Sequence, residues 1–206
     1  MPQSPLAAPS GQLKYVVLGL GTQNYTCATG HESTVPRATG AVATLYDIGS
    51  RLNGNVIAAI SKIPFLSGRA LLLSQYPKAL KAYLRLEGYD HVIGHHFFDG
   101  SHGTSMPVFA FDQLPWSPYP TAQVGKVDET NPPASAYAGL QQEGAVSWLY
   151  LTDTGLSVGG IDTVYRLETA GGKSPVSCKD RRGSFEVKYA AQYWVFGPSD
   201  DSVASV

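Results

Sequence analysis

Histidine and aspartate side chains are concentrated in one stretch of the chain, residues 91–102. They are His91, His95, His96, Asp99 and His102. Such side chains ligate metals, and histidine also transfers protons near neutral pH. The start of the stretch has the composition of a strand, so His91 and His95 would share a face while His96 points away. One coordination shell cannot take all five. We therefore predict no metal site, and we take His95 as the acid/base candidate, with a hydrogen-bonded core histidine as the alternative.

Large aromatic side chains with polar tips form the second candidate set. On strands, Trp148 and Tyr150 would share one face, whereas Tyr165 and Arg166 would lie on opposite faces. A pocket lined by such rings, with one His and one Arg, suits an uncharged, partly aromatic ligand. We predict His95 and Arg166 as catalytic residues. The predicted substrate-binding residues are Trp116, Trp148, Tyr150, Tyr165 and Phe97. Ordinary core packing is the alternative for the aromatic set.

Three glycine-containing motifs resemble known sites but lack the required context. Residues 155–159 match the G-x-S-x-G elbow, yet a strand-forming run follows where a helix is needed, so we predict a hairpin turn. Residues 171–174 lack the first glycine of a phosphate loop and are followed by a proline. Residues 19–21 lack the third glycine of a dinucleotide site. We predict no cofactor.

The elements that must position these residues are mostly strands. Runs with β-branched or aromatic alternation occupy residues 14–20, 22–27, 41–48, 91–98, 106–111, 145–152, 161–169 and 185–196. Helical patterns are confined to about 55–87, with a first helix ended by Pro64 and a second beginning near Pro77. The proline-rich residues 115–138 predict a long irregular loop. We predict a mainly β fold, either an antiparallel β-sandwich or an open barrel, with a small helical insertion.

Composition limits the class of protein. The chain has 206 residues, 15% of them charged, and a net charge of −1. A nucleic-acid partner is not expected, because the basic cluster at 179–182 is short and no basic stripe accompanies it. No apolar run approaches the roughly 18 residues that span a bilayer, so no membrane span is expected. We divide the chain into a flexible leader (1–12), one β-rich domain (13–197) and a flexible tail (198–206). The oligomeric state stays open.

Several blocks of sequence follow one another in an order that resembles a known family. They are residues 21–27, 43–47, 94–98, 145–149, 164–172 and 189–194, with Pro175 and Cys178. The family comprises secreted fungal and bacterial proteins of unknown function, and its fungal members often carry the label malate dehydrogenase. Nothing at residues 19–21 supports that label. The chain departs from the family pattern after His96 and in its helical insertion, where a ligand site would be remodelled.

The resemblance bears on the two cysteines and on location. From the residues alone, Cys27 and Cys178 are either two buried thiols or one bridge. Both lie in matching family blocks, and the resemblance implies that they form a disulfide. Asn24 begins a glycosylation sequon, which agrees with a secretory or extracellular protein.

Three functions follow in order of preference. Some fungal cyclases of the hetero-Diels–Alder kind resemble this family, which implies a cofactor-independent enzyme that assists dehydration and cycloaddition of a hydrophobic small molecule. Such catalysis needs proximity, a shaped cavity and one or two hydrogen-bond donors. His95 or a tyrosine would assist loss of water, Arg166 would polarise a carbonyl, and Trp148 and Trp116 would hold the planar partner. The alternatives are a secreted non-enzymatic effector or ligand-binding protein, and a structural stress or spore protein.

Overall fold

The computed structural model of the protein describes residues 1–101 and 103–199. Within them, eight antiparallel strands form a closed barrel, in which sequence neighbours pair and the last strand pairs with the first. The strands are β1 (Gln12–Cys27), β2 (Arg37–Asp47), β3 (Val92–Asp99), β4 (Met106–Ala110), β5 (Thr121–Thr130), β6 (Trp148–Asp153), β7 (Thr163–Gly171) and β8 (Gly183–Gly197). The mainly β prediction is confirmed. Of the predicted architectures the chain forms a barrel, and this barrel is closed rather than open.

Side chains along each strand alternate between the inside and the outside of the barrel. On β1, Val17 packs inside with Leu45 and Tyr193, whereas its neighbour Leu18 belongs to a second core on the outer face. The two longest strands, β1 and β8, pair along nearly their whole length and close the sheet. Closure leaves no unpaired strand edge in the wall.

Three helices occupy the connection between β2 and β3: α1 (Gly49–Asn53), α2 (Val56–Leu73) and α3 (Pro77–Glu87). The predicted helical insertion is therefore present, although it begins earlier than expected. Helix α2 lies against the outer face of β7 and β8. The side-chain amide nitrogen of Gln192 donates a hydrogen bond of 2.7 Å to the carbonyl of Ile63. This bond fixes the helix against the barrel wall.

The expected end of the first helix at Pro64 is wrong, because α2 continues through this residue to Leu73. An internal proline removes one backbone hydrogen bond and costs about 3 kcal/mol. The residues that follow include Leu66 and Leu71, which are fully buried against the barrel. Burial of each leucine stabilises the fold by about 1.5–3 kcal/mol, so the two together offset the cost of the proline.

The prediction of one irregular loop over residues 115–138 is also wrong. Strand β5 lies within this range and pairs with β4 and β6. Prolines flank it, at Pro120 before and at Pro132 after, but none lies inside it. Every residue of β5 therefore keeps its backbone N–H for the sheet.

The predicted disulfide joins Cys27, at the end of β1, to Cys178, in the loop between β7 and β8. Both cysteines are buried. The backbone N–H of Cys178 also donates to the carbonyl of Thr34, in the loop between β1 and β2, at 2.7 Å. The bridge and this hydrogen bond hold two loops together at one end of the barrel.

The segment before β1, predicted as a leader, runs beside the outer face of the barrel. Leu6 is buried in the outer core, and the carbonyl of Ala7 accepts a hydrogen bond of 2.9 Å from the Tyr165 hydroxyl. The predicted tail lies outside the described residues from position 200 onward. Among the described helices, none is both long and apolar enough to cross a membrane.

Candidate functional site

A groove of about 1150 Å³ lies beneath α1 and the first half of α2, along the outer face of the barrel, and it also reaches Tyr15 and Ile93 of the inner core. We name it the tryptophan groove, because Trp148 of β6 and Trp194 of β8 lie in its wall. Ile60 and Ile63 of α2 also line it, as do residues 1–3. Sites for drug-sized molecules typically have volumes of about 300–1,000 Å³. The groove is therefore large enough for such a molecule.

The two tryptophans contribute unpaired hydrogen-bond donors to a mainly apolar wall. Both side chains are buried, and neither indole N–H has an acceptor within the part of the chain that the structure describes. A buried donor without a partner costs about 1–3 kcal/mol. A bound molecule that presents a carbonyl or ether oxygen would remove this cost. The groove therefore favours an apolar ligand with oxygen acceptors.

Glu168 places a carboxyl group in the same groove because of a bulge in β7. Alternation from Val164 and Arg166, which face the inside, would put Glu168 inside the barrel as well. Instead, the pairing with β8 shifts register between Leu167 and Ala170, and Glu168 adopts the left-handed φ of 46°. The residue then lines the outer groove. Bulges that redirect a side chain, and left-handed residues other than glycine, are concentrated at functional sites.

Burial raises the pKa of the Glu168 carboxyl above its ordinary value. No lysine, arginine or histidine of the described residues lies within ion-pair distance of it. The carboxyl therefore stays protonated to a higher pH than a solvent-exposed glutamic acid. A protonated carboxyl in an apolar groove can serve as a general acid.

Only one of the five predicted substrate-binding residues, Trp148, lines the groove. Tyr150 and Tyr165 stack on each other in the outer core, with ring centroids 5.0 Å apart, under the segment that contains Ala7. Trp116 lies in the loop between β4 and β5 and is 54% exposed, and Phe97 on β3 is 38% exposed. The predicted aromatic set is thus divided among the groove, the outer core and two separate exposed positions.

The two predicted catalytic residues, His95 and Arg166, do not share a cavity. The Nδ1 atom of His95 lies 2.9 and 3.0 Å from the two carboxylate oxygens of Asp112, outside the tryptophan groove. Arg166 pairs with Leu149, whose side chain packs in the inner core, and it points to the barrel interior. The barrel wall separates them.

The histidine stretch is also divided. His95 and His96 lie on opposite sides of the wall, as predicted. Strand alternation, which would put His91 on the same face as His95, does not extend to His91. This residue precedes β3, and the pairing of β3 with β2 shifts register between Leu45 and Tyr46. His91 lines the groove. In residues 1–101 and 103–199, no group of three or more His, Cys, Asp or Glu side chains could hold a metal ion. His102 lies outside the described residues.

A second polar cluster lies inside the barrel. His96 stacks on Phe109, with ring centroids 4.2 Å apart, and its Nδ1–H donates to the carbonyl of Val108 at 2.8 Å. The hydroxyls of Tyr189 and Tyr193 are hydrogen-bonded to each other at 2.9 Å. Burial, with a smaller contribution from the charge of Arg166, lowers the pKa of His96 to about 4, against 6.5 for an ordinary histidine. His96 is therefore neutral at physiological pH.

The pKa of His96 predicts an acid-sensitive stability. As pH falls below 6.5, the unfolded chain binds a proton at this histidine while the native chain does not, until pH approaches 4. We expect the free energy of unfolding to fall by about 3 kcal/mol as the pH falls from 6.5 to 4. Above pH 6.5 the protein keeps this part of its stability in full. His96→Asn, which keeps a donor for Val108, should flatten this dependence in urea titrations. His31→Asn, at an exposed position, should not. Equal pH profiles for wild type and His96→Asn would contradict the prediction.

The remaining sequence motifs have structural roles. Ser157 lies in the turn of the β6–β7 hairpin, as predicted, and its Oγ accepts a hydrogen bond from the backbone of Gln123 at 3.0 Å. Gly19 and Gly21 lie within β1, so no strand-to-helix turn forms there. The Oδ1 of Asn24 accepts a hydrogen bond of 3.1 Å from Thr22 on the same strand.

Two groove residues, Glu168 and Trp194, are absent from the predicted site. Trp194 belongs to the aromatic-rich run of β8. Because neighbouring residues of a strand face opposite sides, the sequence could indicate that Trp194 and Tyr193 lie on different faces. No such signal marks Glu168, because regular strand alternation predicts that its side chain faces the inside of the barrel. The bulge is visible only in the pairing of β7 with β8.

Comparison with known proteins gives one match. A family model with the description "Protein of unknown function (DUF3455)" matches residues 8–197. No curated protein and no solved structure matches the chain.

Proposed function

We propose that this chain, which belongs to the DUF3455 family of proteins of unknown function, binds an uncharged, partly aromatic small molecule in the tryptophan groove. We propose further that it promotes dehydration and cycloaddition of this molecule without a cofactor. The observation that carries the proposal is the placement of Glu168, redirected by a bulge into a groove whose two indole N–H groups have no acceptor in the described structure. The cyclase reaction is the one that the resemblance to fungal cyclases implies.

In the proposed reaction, Glu168 takes the acid/base role that the sequence assigned to His95. The protonated carboxyl gives its proton to a leaving hydroxyl as the carbon–oxygen bond breaks. The carboxylate then takes a proton from the adjacent carbon as the double bond forms, so that water leaves and the acid is restored. Trp148 and Trp194 would donate hydrogen bonds to a carbonyl of the product and make it electron-poor.

The cycloaddition itself requires no further proton transfer. Its barrier falls when diene and alkene are held at contact distance in one orientation, an effect equivalent to a high local concentration. A groove of about 1150 Å³ has room for both partners. The buried side chains that the strands contribute to the wall, Trp148 and Trp194, favour a single orientation.

The second candidate is a secreted binding protein that holds the same kind of ligand without changing it. His95 does not line the groove. This favours the second candidate, because binding needs the wall and the donors but no proton transfer. In either case we propose a secretory or extracellular location, supported by the disulfide between Cys27 and Cys178. Asn24 is the proposed glycosylation site.

Binding in the groove can be tested with N-phenyl-1-naphthylamine, an uncharged aromatic molecule that fluoresces in apolar sites. Two isoleucines of α2 form a matched pair, since both are exposed but Ile60 lines the groove and Ile57 does not. We expect saturable binding to the wild type. Ile60→Arg places a charge in the groove wall and should weaken binding by about 10-fold or more, equivalent to at least about 1.4 kcal/mol. Ile57→Arg should leave binding unchanged.

Both substitutions replace exposed side chains and are expected to leave the fold intact. Circular dichroism and thermal unfolding of the two variants provide the check. Equal effects of Ile60→Arg and Ile57→Arg, or no saturable binding by the wild type, would remove the tryptophan groove as the ligand site.

A further inference from the structure

We propose a second ligand site, for a small organic carboxylate, at the end of the barrel where the disulfide lies. A cavity of about 670 Å³ opens there between the β5–β6 loop and the β7–β8 loop. We name it the barrel mouth. Arg166, Lys173, Gln23 and Tyr25 line it, together with a proline- and alanine-rich rim at 132–138. This site is independent of the proposed function, which concerns the outer face of the wall.

The charge of the barrel mouth is positive and uncompensated. Among the residues that the structure describes, its lining contains Arg166 and Lys173 but no aspartate or glutamate. Within the described residues, neither cation has a carboxylate at ion-pair distance. The acidic residue of the β5–β6 loop, Glu143, accepts a hydrogen bond from the backbone of Gln141 and does not line the mouth. A partly buried arginine without a counter-charge is costly, and a bound anion would remove that cost.

Arg166 is held in a fixed orientation. Its Nε and Nη2 atoms both donate to the carbonyl of Ser147, at 3.1 and 2.9 Å. This carbonyl uses two of the five guanidinium hydrogens, and the guanidinium also interacts with the Tyr193 hydroxyl, so at most two or three hydrogens remain for a ligand. A planar guanidinium fixed in this way is suited to the two oxygens of a carboxylate, because the entropy of ordering the side chain has already been lost.

A third donor lies in the same wall. Gln23 on β1 is 9% exposed; its side chain interacts with the Tyr189 hydroxyl, and no acceptor among the described residues lies at hydrogen-bond distance from its side-chain nitrogen. The Tyr25 hydroxyl, by contrast, donates to the carbonyl of Gly172 at 2.7 Å, which leaves its ring as an apolar wall. The mouth thus combines two cations and one buried amide with an apolar rim, a combination suited to a carboxylic acid with a hydrocarbon body.

The site can be tested by calorimetric titration of 4-phenylbutyrate, with 4-phenylbutanamide as an uncharged ligand of nearly the same shape. We expect the carboxylate to bind roughly 10- to 100-fold more tightly than the amide, the range for hydrogen bonds to charged groups. Arg166→Gln should remove most of this difference, and its effect should shrink at high salt. Lys173→Ala should weaken binding without risk to the fold, because Lys173 is exposed.

Lys179→Ala is the matched control, since Lys179 lies on the same β7–β8 loop but outside the mouth. It should leave carboxylate binding unchanged. Equal binding of acid and amide, or equal effects of Lys173→Ala and Lys179→Ala, would overturn the proposal. Displacement of 4-phenylbutyrate by inorganic phosphate at equal concentration would reassign the mouth to phosphate ligands.

The two sites can also be told apart. N-phenyl-1-naphthylamine should not displace 4-phenylbutyrate if the acid lies in the barrel mouth and the amine in the groove. Displacement would place both molecules in the tryptophan groove and overturn the second site. Failure of the naphthylamine to bind at all would contradict the proposed function and leave the carboxylate test valid.

Discussion

Replacement of Glu168 by Gln is expected to slow dehydration of a β-hydroxy ketone by about 10²- to 10⁴-fold, the usual contribution of a positioned general acid or base. Glutamine keeps the size of the side chain but cannot transfer the proton. The probe is 4-hydroxy-4-phenylbutan-2-one, an uncharged and partly aromatic molecule whose loss of water yields a conjugated enone that is followed by absorbance. Because the acid acts when protonated, the wild-type rate should fall as pH rises through the raised pKa of Glu168.

Binding should respond differently from the rate. Glu168→Gln should bind N-phenyl-1-naphthylamine like the wild type, because the groove keeps its shape. Glu186→Gln serves as the control, since Glu186 is exposed on β8 and lies outside the groove, and its rate should be unchanged. A wild type that binds the naphthylamine but does not accelerate dehydration would exclude this chemistry and favour the binding protein. Equal rates for wild type and Glu168→Gln would remove Glu168 from the mechanism.

Loss of the disulfide should have the second large effect, on stability. The bridge spans a sequence separation of 151. In the chain-entropy account, a loop of this length constrains the unfolded chain by about 4–5 kcal/mol. We expect a Cys27→Ala, Cys178→Ala double variant to lose about this much free energy of unfolding in a urea titration. Such a loss is a large fraction of the roughly 5–15 kcal/mol that stabilises a typical domain.

Reductant provides the control for this measurement. It should lower the stability of the wild type to nearly that of the double variant and should have no effect on the double variant itself. The bridge also holds the loop that carries Lys173, so the double variant should bind 4-phenylbutyrate more weakly than the wild type. Labelling of both thiols in the native, unreduced protein would show that the bridge does not form in solution.

Much of the fold could be predicted because its signals are local. Alternation along residues 14–20, 22–27 and 185–196 predicted the segments that close the barrel, although the first two runs form the single strand β1 and pair with β2 through Gly19 and Gly21 without a break. The errors at Pro64 and at β5 have one cause. Local sequence predicts that an element ends at proline, whereas a helix continues through proline when burial of later residues offsets the lost hydrogen bond. Prolines on both sides of a strand can also delimit it.

The candidate site could be predicted only in part. Trp148 lines the groove, although its binding role stays a prediction, and Arg166 lies on the face opposite Tyr165, as the alternation predicts. The predicted pocket shared by these residues and His95 does not form. Which residues line one pocket depends on which strands pair and how the sheet closes. A sandwich or an open barrel would bring different pairs of residues together. The closed barrel separates an inner face, with Arg166, from an outer one, with Trp148.

The sequence by itself determined the β-rich class, the inside–outside alternation of the strands and the two cysteines available for a bridge, because each depends on residue type and near-neighbour spacing. Only the tertiary structure decided that the sheet closes, that Glu168 faces the groove and that Arg166 and Lys173 share one cavity. These features depend on the register between β7 and β8 and on loops far apart in the chain. A shift of one residue in register moves a side chain across the wall. No local pattern specifies that shift.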